Sequence, residues 1–209
     1  MNKALLFVGA FNPPTTAHIQ CAEFAMKALK CEHVIFVPSK SRYITSEQGK
    51  DMAFDDNARL AMLEKLAKTR YWMHVSDYEI LAPQQPRTYE TLQEMKRRGY
   101  ACRLLMGSDK LVELENGWLY VEEIVKEFGI AVMGRNSDDC QAMIENNPYL
   151  KNLSYNIRII ETPKEYHSIS STALRQALQR IRQDITFLDK ALPEELHYLY
   201  SIEDRTNEK

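Results

Sequence analysis

The chain has 209 residues, of which 44% are hydrophobic and 27% are charged, a composition typical of globular domains rather than of disordered or fibrous chains. Its 27 lysines and arginines stand against 29 aspartates and glutamates, which gives a net charge of −2. No excess of positive charge is available to hold a nucleic-acid backbone, so we expect no nucleic-acid partner. A small phosphorylated ligand is compatible with this balance, because it needs only a few local cations.

The cysteines and the first apolar run bear on the cellular location. Neither a disulfide framework nor a zinc site is indicated, because the four cysteines follow no ligand spacing: Cys21, Cys31, Cys102 and Cys140. The run that begins at Ala4 ends at Pro13-Pro14, well short of a membrane span of about 20 residues, and no small-residue cleavage site follows it. We therefore expect a reducing compartment, the cytoplasm, with no membrane partner and no metal site in the protein.

Short apolar runs alternate with segments of helical periodicity along almost the whole chain. The predicted strands are Ala4–Val8, Val34–Pro38, Trp72–Val75, Arg103–Met106, Ile130–Met133 and Ile157–Ile160. Their nearly continuous apolar character is typical of strands that are covered on both faces. The predicted helices are Ala17–Leu29, Phe54–Leu66, Tyr89–Arg97, Tyr120–Phe128, Ser137–Ile144, Thr172–Ile181 and Glu194–Tyr200. On the first helix, the residues expected to share the buried face are Cys21, Phe24, Ala25, Ala28 and Leu29.

This alternation predicts right-handed crossovers and a parallel sheet. The expected fold class is α/β: a doubly wound, Rossmann-like parallel sheet with helices on both faces and a small C-terminal helical appendage. We expect one domain, with the sheet core in residues 1–165 and the appendage in 166–209. Two irregular loops, Ser39–Met52 and Pro83–Thr88, follow the second and third strands, at the edge of the sheet where such folds bind ligands.

The segment after the first strand carries the first indication of chemistry. It reads Gly9-Ala10-Phe11-Asn12-Pro13-Pro14-Thr15-Thr16-Ala17-His18, and neither the GxGxxG fingerprint nor a P-loop occurs in the chain. Gly9 allows close approach of the backbone to a ligand, and the prolines fix a rigid turn. Thr15 or Thr16 can cap the next helix, which places His18 in its first turn, where the positive end of the helix favours an anion.

A second segment with the same character follows the sixth strand. It reads Ile169-Ser170-Ser171-Thr172-Ala173-Leu174-Arg175 and combines hydroxyl groups at a helix start with an arginine one turn later. Two anion sites at the carboxyl edge of one sheet suit a nucleoside triphosphate.

These two segments resemble signatures of a known superfamily. Gly9–His18 is similar to the GxFxPxTxxH signature of the nucleotidyltransferase α/β-phosphodiesterases, and Ile169–Arg175 is similar to their ISSTxxR signature. With Gly107-Ser108-Asp109, Trp118 and Val132–Arg135 in the same order, the chain resembles the nicotinate/nicotinamide mononucleotide adenylyltransferase family over nearly its whole length. Bacterial nicotinate enzymes of the family often have histidine where Thr15 stands, so the preference between the two bases stays open.

The resemblance implies attack of a mononucleotide phosphate on the α-phosphorus of ATP, with release of pyrophosphate, in NAD synthesis. Mg²⁺ would be carried with ATP, and no protein nucleophile is needed, so catalysis reduces to alignment of two anions and stabilisation of charge. The catalytic residues that the resemblance implies are His18, Arg175 and Lys50. Lys40 competes with Lys50, because only the spacing within the loop indicates either one.

The resemblance also implies which residues bind the two substrates. Those expected at ATP are Gly9, Ala10, Phe11, His18, Gly107, Asp109, Arg135, Ser170, Ser171, Thr172 and Arg175. Those expected at the mononucleotide are Phe11, Asn12, Thr88, Thr91 and Trp118. Trp118 would stack on the pyridine ring, although a tryptophan is as readily explained by core packing. A homo-oligomer is compatible with the family.

Three other functions are compatible with parts of the pattern. The first is another transferase of the superfamily, either pantetheine-phosphate adenylyltransferase or a cytidylyltransferase, although the RTxGISTT-like motif of the latter is not seen. The second is an aminoacyl-tRNA synthetase fragment, because Pro14–His18 resembles HIGH, but no matching KMSKS segment is present. The third is a nucleotide sensor that has lost turnover.

Overall fold

The computed structural model describes residues 2–47, 49, 53–134, 138–180 and 184–201. Its strands are β1 (Asn2–Gly9), β2 (His33–Pro38), β3 (Met73–Val75), β4 (Tyr100–Gly107), β5 (Ile130–Gly134) and β6 (Ile157–Glu161). They form one sheet in the order β3-β2-β1-β4-β5-β6, and all pairs are parallel. The sheet therefore has the predicted doubly wound topology.

Helices connect the strands. In chain order they are α1 (Thr16–Ala28), α2 (Ser41–Ser46), α3 (Asp56–Ala67), α4 (Tyr78–Leu81), α5 (Thr88–Arg97), α6 (Leu114–Gly117), α7 (Val121–Glu127), α8 (Cys140–Glu145), α9 (Pro148–Leu153), α10 (Ser171–Leu178), α11 (Ile185–Ala191) and α12 (Tyr198–Ser201). Short 3₁₀ turns cover Ser108–Glu113, Ser154–Asn156, Lys164–Tyr166 and Glu194–Leu196. Within the described residues, no helix combines the length and the apolar character that a transmembrane span requires.

The strand order reverses between β1 and β4, which marks the switch point where ligands bind in open α/β sheets. β1 and β4 are paired along their length, with Phe7 opposite Leu105, so their ends at Gly9 and Gly107 flank this point. The topology thus brings two of the predicted ligand segments to adjacent positions at the carboxyl edge.

Each face of the sheet is covered by its own hydrophobic cluster. One cluster joins β1 and β2 to helices α1, α3, α10 and α11, through Ala22, Leu63, Leu174 and Leu188. The other joins the sheet to helices α5, α7, α8 and α9, through Leu92, Ile124, Ile144 and Leu150. The C-terminal helices α10 and α11 therefore complete the first face rather than standing apart from the sheet.

The structure corrects the predicted buried face of α1. Phe24 is 42% exposed and Ala28 is also exposed, whereas Ala22 and Ala25 are fully buried. The physical reason lies at the start of the helix, where His18 packs against the ring of Phe11. Residues four and seven positions after His18 share its face and point toward the sheet.

Several helices differ from their predictions. The loop predicted as irregular, Ser39–Met52, contains α2, and the predicted helix Glu194–Tyr200 is divided into a 3₁₀ turn and the start of α12. The sequence prediction omits α4, α6, α9 and α11. For α9 a local signature of a helix start was present, because Asn147 caps it and Pro148 occupies its first position. The predicted helices that reach Ser137 and Ile181 extend outside the described residues.

Candidate active site

The loop between β1 and α1 reverses direction at a buried phenylalanine, Phe11. Phe11 has a positive φ of 43° and is 2% exposed, and its ring packs edge-on against Phe7 at 5.1 Å. A side chain at Gly9 would come within 3.3 Å of this ring, which explains the glycine. Phe11 is buried as a whole residue and the carbonyl of Ala10 accepts from Arg59, so the ligand contacts of both residues stay predictions.

Asn12 anchors the same loop from within. Its side chain is fully buried, and its Oδ1 accepts a hydrogen bond from the backbone N–H of Phe54 at 2.8 Å. The loop is thereby attached to the segment that precedes α3. The predicted contact of the Asn12 side chain with a mononucleotide would require this buried hydrogen bond to be shared or broken.

His18 closes a capping box at the start of α1. The hydroxyl of Thr15, the N-cap, accepts from the backbone N–H of His18, and the backbone N–H of Thr15 donates to Nδ1 of His18 at 3.0 Å. Because Nδ1 acts as an acceptor, the neutral imidazole carries its proton on Nε2. The capping box therefore fixes both the ring position and the tautomer, and it makes Nε2 a hydrogen-bond donor.

The second motif is bonded directly to the first. Ser170 caps α10, the hydroxyl of Ser171 donates to the carbonyl of Pro13 at 2.8 Å, and Arg175 donates to the carbonyl of Asn12 at 2.7 Å. These bonds join residues that are 158 and 163 positions apart in the chain. Thr172 lies 3.4 Å from the Arg175 guanidinium. The starts of α1 and α10 thus meet at one loop beside the switch point.

The sequence analysis did not identify Arg59, a buried residue that bonds to the loop between β1 and α1. Arg59 of α3 is 0% exposed, and its guanidinium donates to the carbonyls of Ala10 at 2.7 Å and Phe54 at 3.1 Å, and also to the carbonyl of Ser39. It forms an ion pair with Asp56 at 2.6 Å. One buried cation therefore links the ends of β1 and β2 to the start of α3.

The ion pair of Arg59 stays ionised despite its burial. Burial opposes the charge on Asp56, but two hydrogen bonds from Ser41 and the charge of Arg59 outweigh it and lower the pKa of Asp56. Burial also lowers the pKa of Arg59, against the opposing effect of Asp56, while a guanidinium keeps its proton in proteins.

The end of β4 brings Asp109 to the switch point. A side chain at Gly107 would lie 2.4 Å from Oδ1 of Asp109, so the glycine makes room for this carboxylate. Asp109 is 64% exposed, whereas Ser108 beside it is buried and donates to Asp138 at 2.6 Å. Asp109 is thus accessible from solvent at the switch point, and its contact with a ribose hydroxyl stays a prediction.

The residues expected at the mononucleotide lie around α5. Thr88 is its half-buried first residue, and Thr91 is fully buried. Trp118 ends α6 and packs, partly buried, against the core beneath α5 and α7. Tyr120 stacks on Tyr89 with ring centroids 5.4 Å apart, so the turn after Trp118 lies beside the first turn of α5.

The remaining cations predicted at phosphate have different outcomes. Lys50 and Arg135 lie outside the described residues. Lys40 is described, and its ammonium donates to the carbonyl of Ile80 in α4. Its competing role at phosphate would require this bond to break.

A further buried charge, Glu79 of α4, lies behind the mononucleotide residues. It is 0% exposed and accepts from the hydroxyl of Thr91 at 2.7 Å and from the amide of Gln85. Burial raises its pKa to about 7, against hydrogen bonds from Thr91, Gln85 and Ser39 that favour the ionised form.

The raised pKa predicts a pH-dependent stability. Relative to the ordinary pKa of 4.5, the folded state holds this proton more tightly, so the contribution of Glu79 to the free energy of unfolding falls as pH rises from about 4.5 to 7. In Glu79→Gln this fall is absent. We expect the free energy of unfolding of the variant, measured with urea, to increase relative to that of the parent by up to about 3 kcal/mol between pH 5 and pH 8. The exposed control Glu64→Gln should track the parent, and a difference for Glu79→Gln that is constant with pH would contradict the prediction.

A cavity of about 440 Å³ lies at the opposite, amino edge of the sheet. It is lined by Lys3, Tyr100, Arg103 and Arg158, and none of the motif residues lines it. The C-terminal ends of α1, α5 and α7 also meet there, and these ends present carbonyl groups rather than the N–H donors that bind phosphate at a helix start. We place the candidate site at the carboxyl edge, where the helix N-termini and the motif residues converge.

An open parallel sheet with two helix starts joined at its switch point is an arrangement typical of nucleotide-binding α/β proteins. A family model described as cytidylyltransferase-like matches residues 6–177, which is most of the chain.

Relatives with curated names indicate which family within this class the chain belongs to. A "probable nicotinate-nucleotide adenylyltransferase" of Clostridium acetobutylicum is 29% identical, with 94% of this chain and 95% of the relative covered. A relative of the same name from Neisseria gonorrhoeae is 32% identical, with 85% of this chain and 88% of the relative covered. The chain belongs to the nicotinate-nucleotide adenylyltransferase family within the cytidylyltransferase-like proteins.

Solved structures confirm the fold. Plasmodium falciparum nicotinic acid mononucleotide adenylyltransferase complexed with NaAD matches with a TM-score of 0.72 at 17% identity, covering 99% of this chain and 97% of that one. The same enzyme complexed with APC matches with a TM-score of 0.73 at 16% identity, covering 99% and 96%. At these identities the likeness establishes the doubly wound architecture.

Proposed function

We propose that this chain transfers the adenylyl group of MgATP to nicotinate mononucleotide and releases pyrophosphate, a step of NAD synthesis. The observation that carries the proposal is the bonding of Ser171 and Arg175 to the Asn12-Pro13 carbonyls, because it assembles both phosphate motifs into one site. The names of the curated relatives support the same reaction and favour nicotinate as the base. A reaction of these metabolites would take place in the cytoplasm.

The reaction joins a phosphate oxygen of the mononucleotide to the α-phosphorus of ATP, and the bond from that phosphorus to the pyrophosphate oxygen breaks. The protein supplies no nucleophile, so its contribution is alignment and charge stabilisation. His18 would donate from Nε2 to a phosphate oxygen, and Arg175 would place a cation beside the same group. The N-termini of α1 and α10 add backbone N–H groups and the positive ends of two helices. Lys50 and Arg135 complete the proposed phosphate contacts.

The remaining predicted residues divide between the two substrates. On the ATP side, the main chains of Gly9, Ala10 and Phe11 would contact the nucleotide, and Gly107 would leave room for Asp109 at the ribose. The hydroxyl-bearing turn Ser170–Thr172 would contact the triphosphate. On the acceptor side, we assign the mononucleotide to the region between the first turn of α5 and the turn at Trp118. The expected contacts there are Asn12, Thr88, Thr91 and Trp118.

The choice of acceptor is tested by comparing rates of pyrophosphate release with MgATP and either nicotinate or nicotinamide mononucleotide. We expect kcat/KM to be about ten- to a hundredfold higher for the nicotinate form, because a carboxylate gains a charge-assisted hydrogen bond of about 1.5–3 kcal/mol. Pantetheine phosphate as acceptor and CTP in place of ATP serve as controls. Release with pantetheine phosphate and with neither pyridine mononucleotide would refute the proposal, and binding of ATP without release on any acceptor would indicate a sensor.

A further inference from the structure

Glu79 lies behind one wall of the proposed mononucleotide region, the first turn of α5. One carboxylate oxygen accepts from Thr91 of α5 at 2.7 Å, and the other accepts from Gln85 in the loop that precedes α5. Ser39, buried directly after β2, is close enough to this carboxylate to favour its ionised form. The groups that donate to it are a neutral hydroxyl and a neutral amide, so this is a buried acidic hub rather than an ion pair.

The hub extends to the end of β2 through Gln85. The side-chain oxygen of Gln85 accepts from the backbone N–H of Lys40 at 2.9 Å, while its amide nitrogen donates to Glu79. Lys40 in turn donates from its ammonium to the carbonyl of Ile80, on the helix that carries Glu79. The segment after β2 is therefore bonded to α4 and to the loop before α5, which lie 40 and 45 residues further along the chain.

The ATP side is held by different residues. Arg175 and Ser171 bond to the Asn12-Pro13 carbonyls, and His18 is fixed by Thr15 within α1. Loss of the Glu79 hub would therefore displace the first turn of α5 while leaving the starts of α1 and α10 in place.

We propose that Glu79 is a positioning residue that sets the first turn of α5 for the mononucleotide and so controls acceptor affinity separately from ATP affinity. The carboxylate accepts a hydrogen bond on each of its two oxygens: one from Thr91 of α5, and one from Gln85, which is itself bonded to Lys40 after β2. Since Thr91 also lies 3.5 Å from the carbonyl of Arg87, its hydroxyl can turn toward that carbonyl when position 79 carries an amide. Glutamine can thus preserve the hub, whereas alanine cannot.

The inference rests on the proposed function and is tested by steady-state kinetics of pyrophosphate release and by calorimetric titration of each substrate into the full chain. For Glu79→Ala we expect the KM for nicotinate mononucleotide to rise about tenfold or more, with less than a threefold change in the KM for ATP. Glu79→Gln should restore the acceptor KM to within about threefold of the parent. Glu64→Gln on the exposed face of α3 is the matched control and should behave as the parent.

Partial unfolding of Glu79→Ala would lower kcat without changing either KM, so it is distinguished from lost positioning. If that variant does not fold, Gln85→Ala tests the same link through a half-buried residue, with an expected rise of about threefold in the acceptor KM alone. Equal changes in both KM values, or failure of Glu79→Gln to restore the acceptor KM, would overturn the inference. A parent that is inactive with both pyridine mononucleotides would instead refute the proposed function, while the calorimetric affinities would still report on Glu79.

Discussion

Replacing His18 by alanine is expected to lower kcat for pyrophosphate release by about a hundred- to a thousandfold, the usual effect of removing one donor that stabilises transition-state charge. In the capping box Nδ1 of His18 accepts a hydrogen bond from the backbone N–H of Thr15. Nε2 therefore carries the proton and can donate it in a hydrogen bond to phosphate. The measurement is a comparison of kcat at saturating MgATP and mononucleotide.

His18→Gln separates chemistry from helix capping. Glutamine is a usual partner at this position of a capping box, so it can still accept from Thr15. We expect His18→Gln to keep the free energy of unfolding within about 0.5 kcal/mol of the parent, while His18→Ala loses about 1 kcal/mol with the cap. Both variants should lose most of their turnover. An alanine variant that turns over as fast as the parent would refute the catalytic role.

The second large effect is expected for Arg59→Met. Methionine fills much of the same space but leaves the carbonyls of Ala10 and Ser39 and the carboxylate of Asp56 without their buried partner. Removing one member of a buried ion pair costs about 3–5 kcal/mol, and we expect a loss of this size in the free energy of unfolding by urea.

Arg97→Met is the matched control for this prediction. Arg97 also forms an ion pair within its helix, with Glu94 at 2.9 Å, but its side chain is 76% exposed. We expect a change of less than about 1 kcal/mol, as for other surface pairs. Equal losses in the two variants would show that the buried network does not stabilise the loop ends.

The strands could be predicted because parallel strands that are covered on both faces need apolar residues at nearly every position. The run predicted at Val34–Pro38 corresponds to the observed His33–Pro38, and Ile157–Ile160 corresponds to Ile157–Glu161. The short helix α2 could not be predicted in this way. Its first residue, Ser41, is held by Asp56 of α3 through two hydrogen bonds, which the local sequence does not reveal.

Two buried charged residues near the site, Arg59 and Glu79, could not be predicted from the sequence. Charged residues are normally exposed, and only their partners make burial possible. Arg59 did carry one signal, because it falls on the same helical face as Leu63 and Leu66. Glu79 lies in a helix of four residues, where no periodicity can be read, and its hydrogen-bond partners come from the following loop and α5.

The sequence by itself determined the alternation of strands and helices, the two phosphate motifs and the position of His18 in the first turn of α1. These features depend on neighbouring residues, because hydrophobic periodicity and helix capping act over a few positions. Only the tertiary structure decided that Arg175 bonds to the Asn12 carbonyl and that Arg59 and Glu79 are buried behind the loops. Those facts depend on hydrogen-bond partners from distant segments, and a buried charge is stable only where the whole fold brings such partners to it.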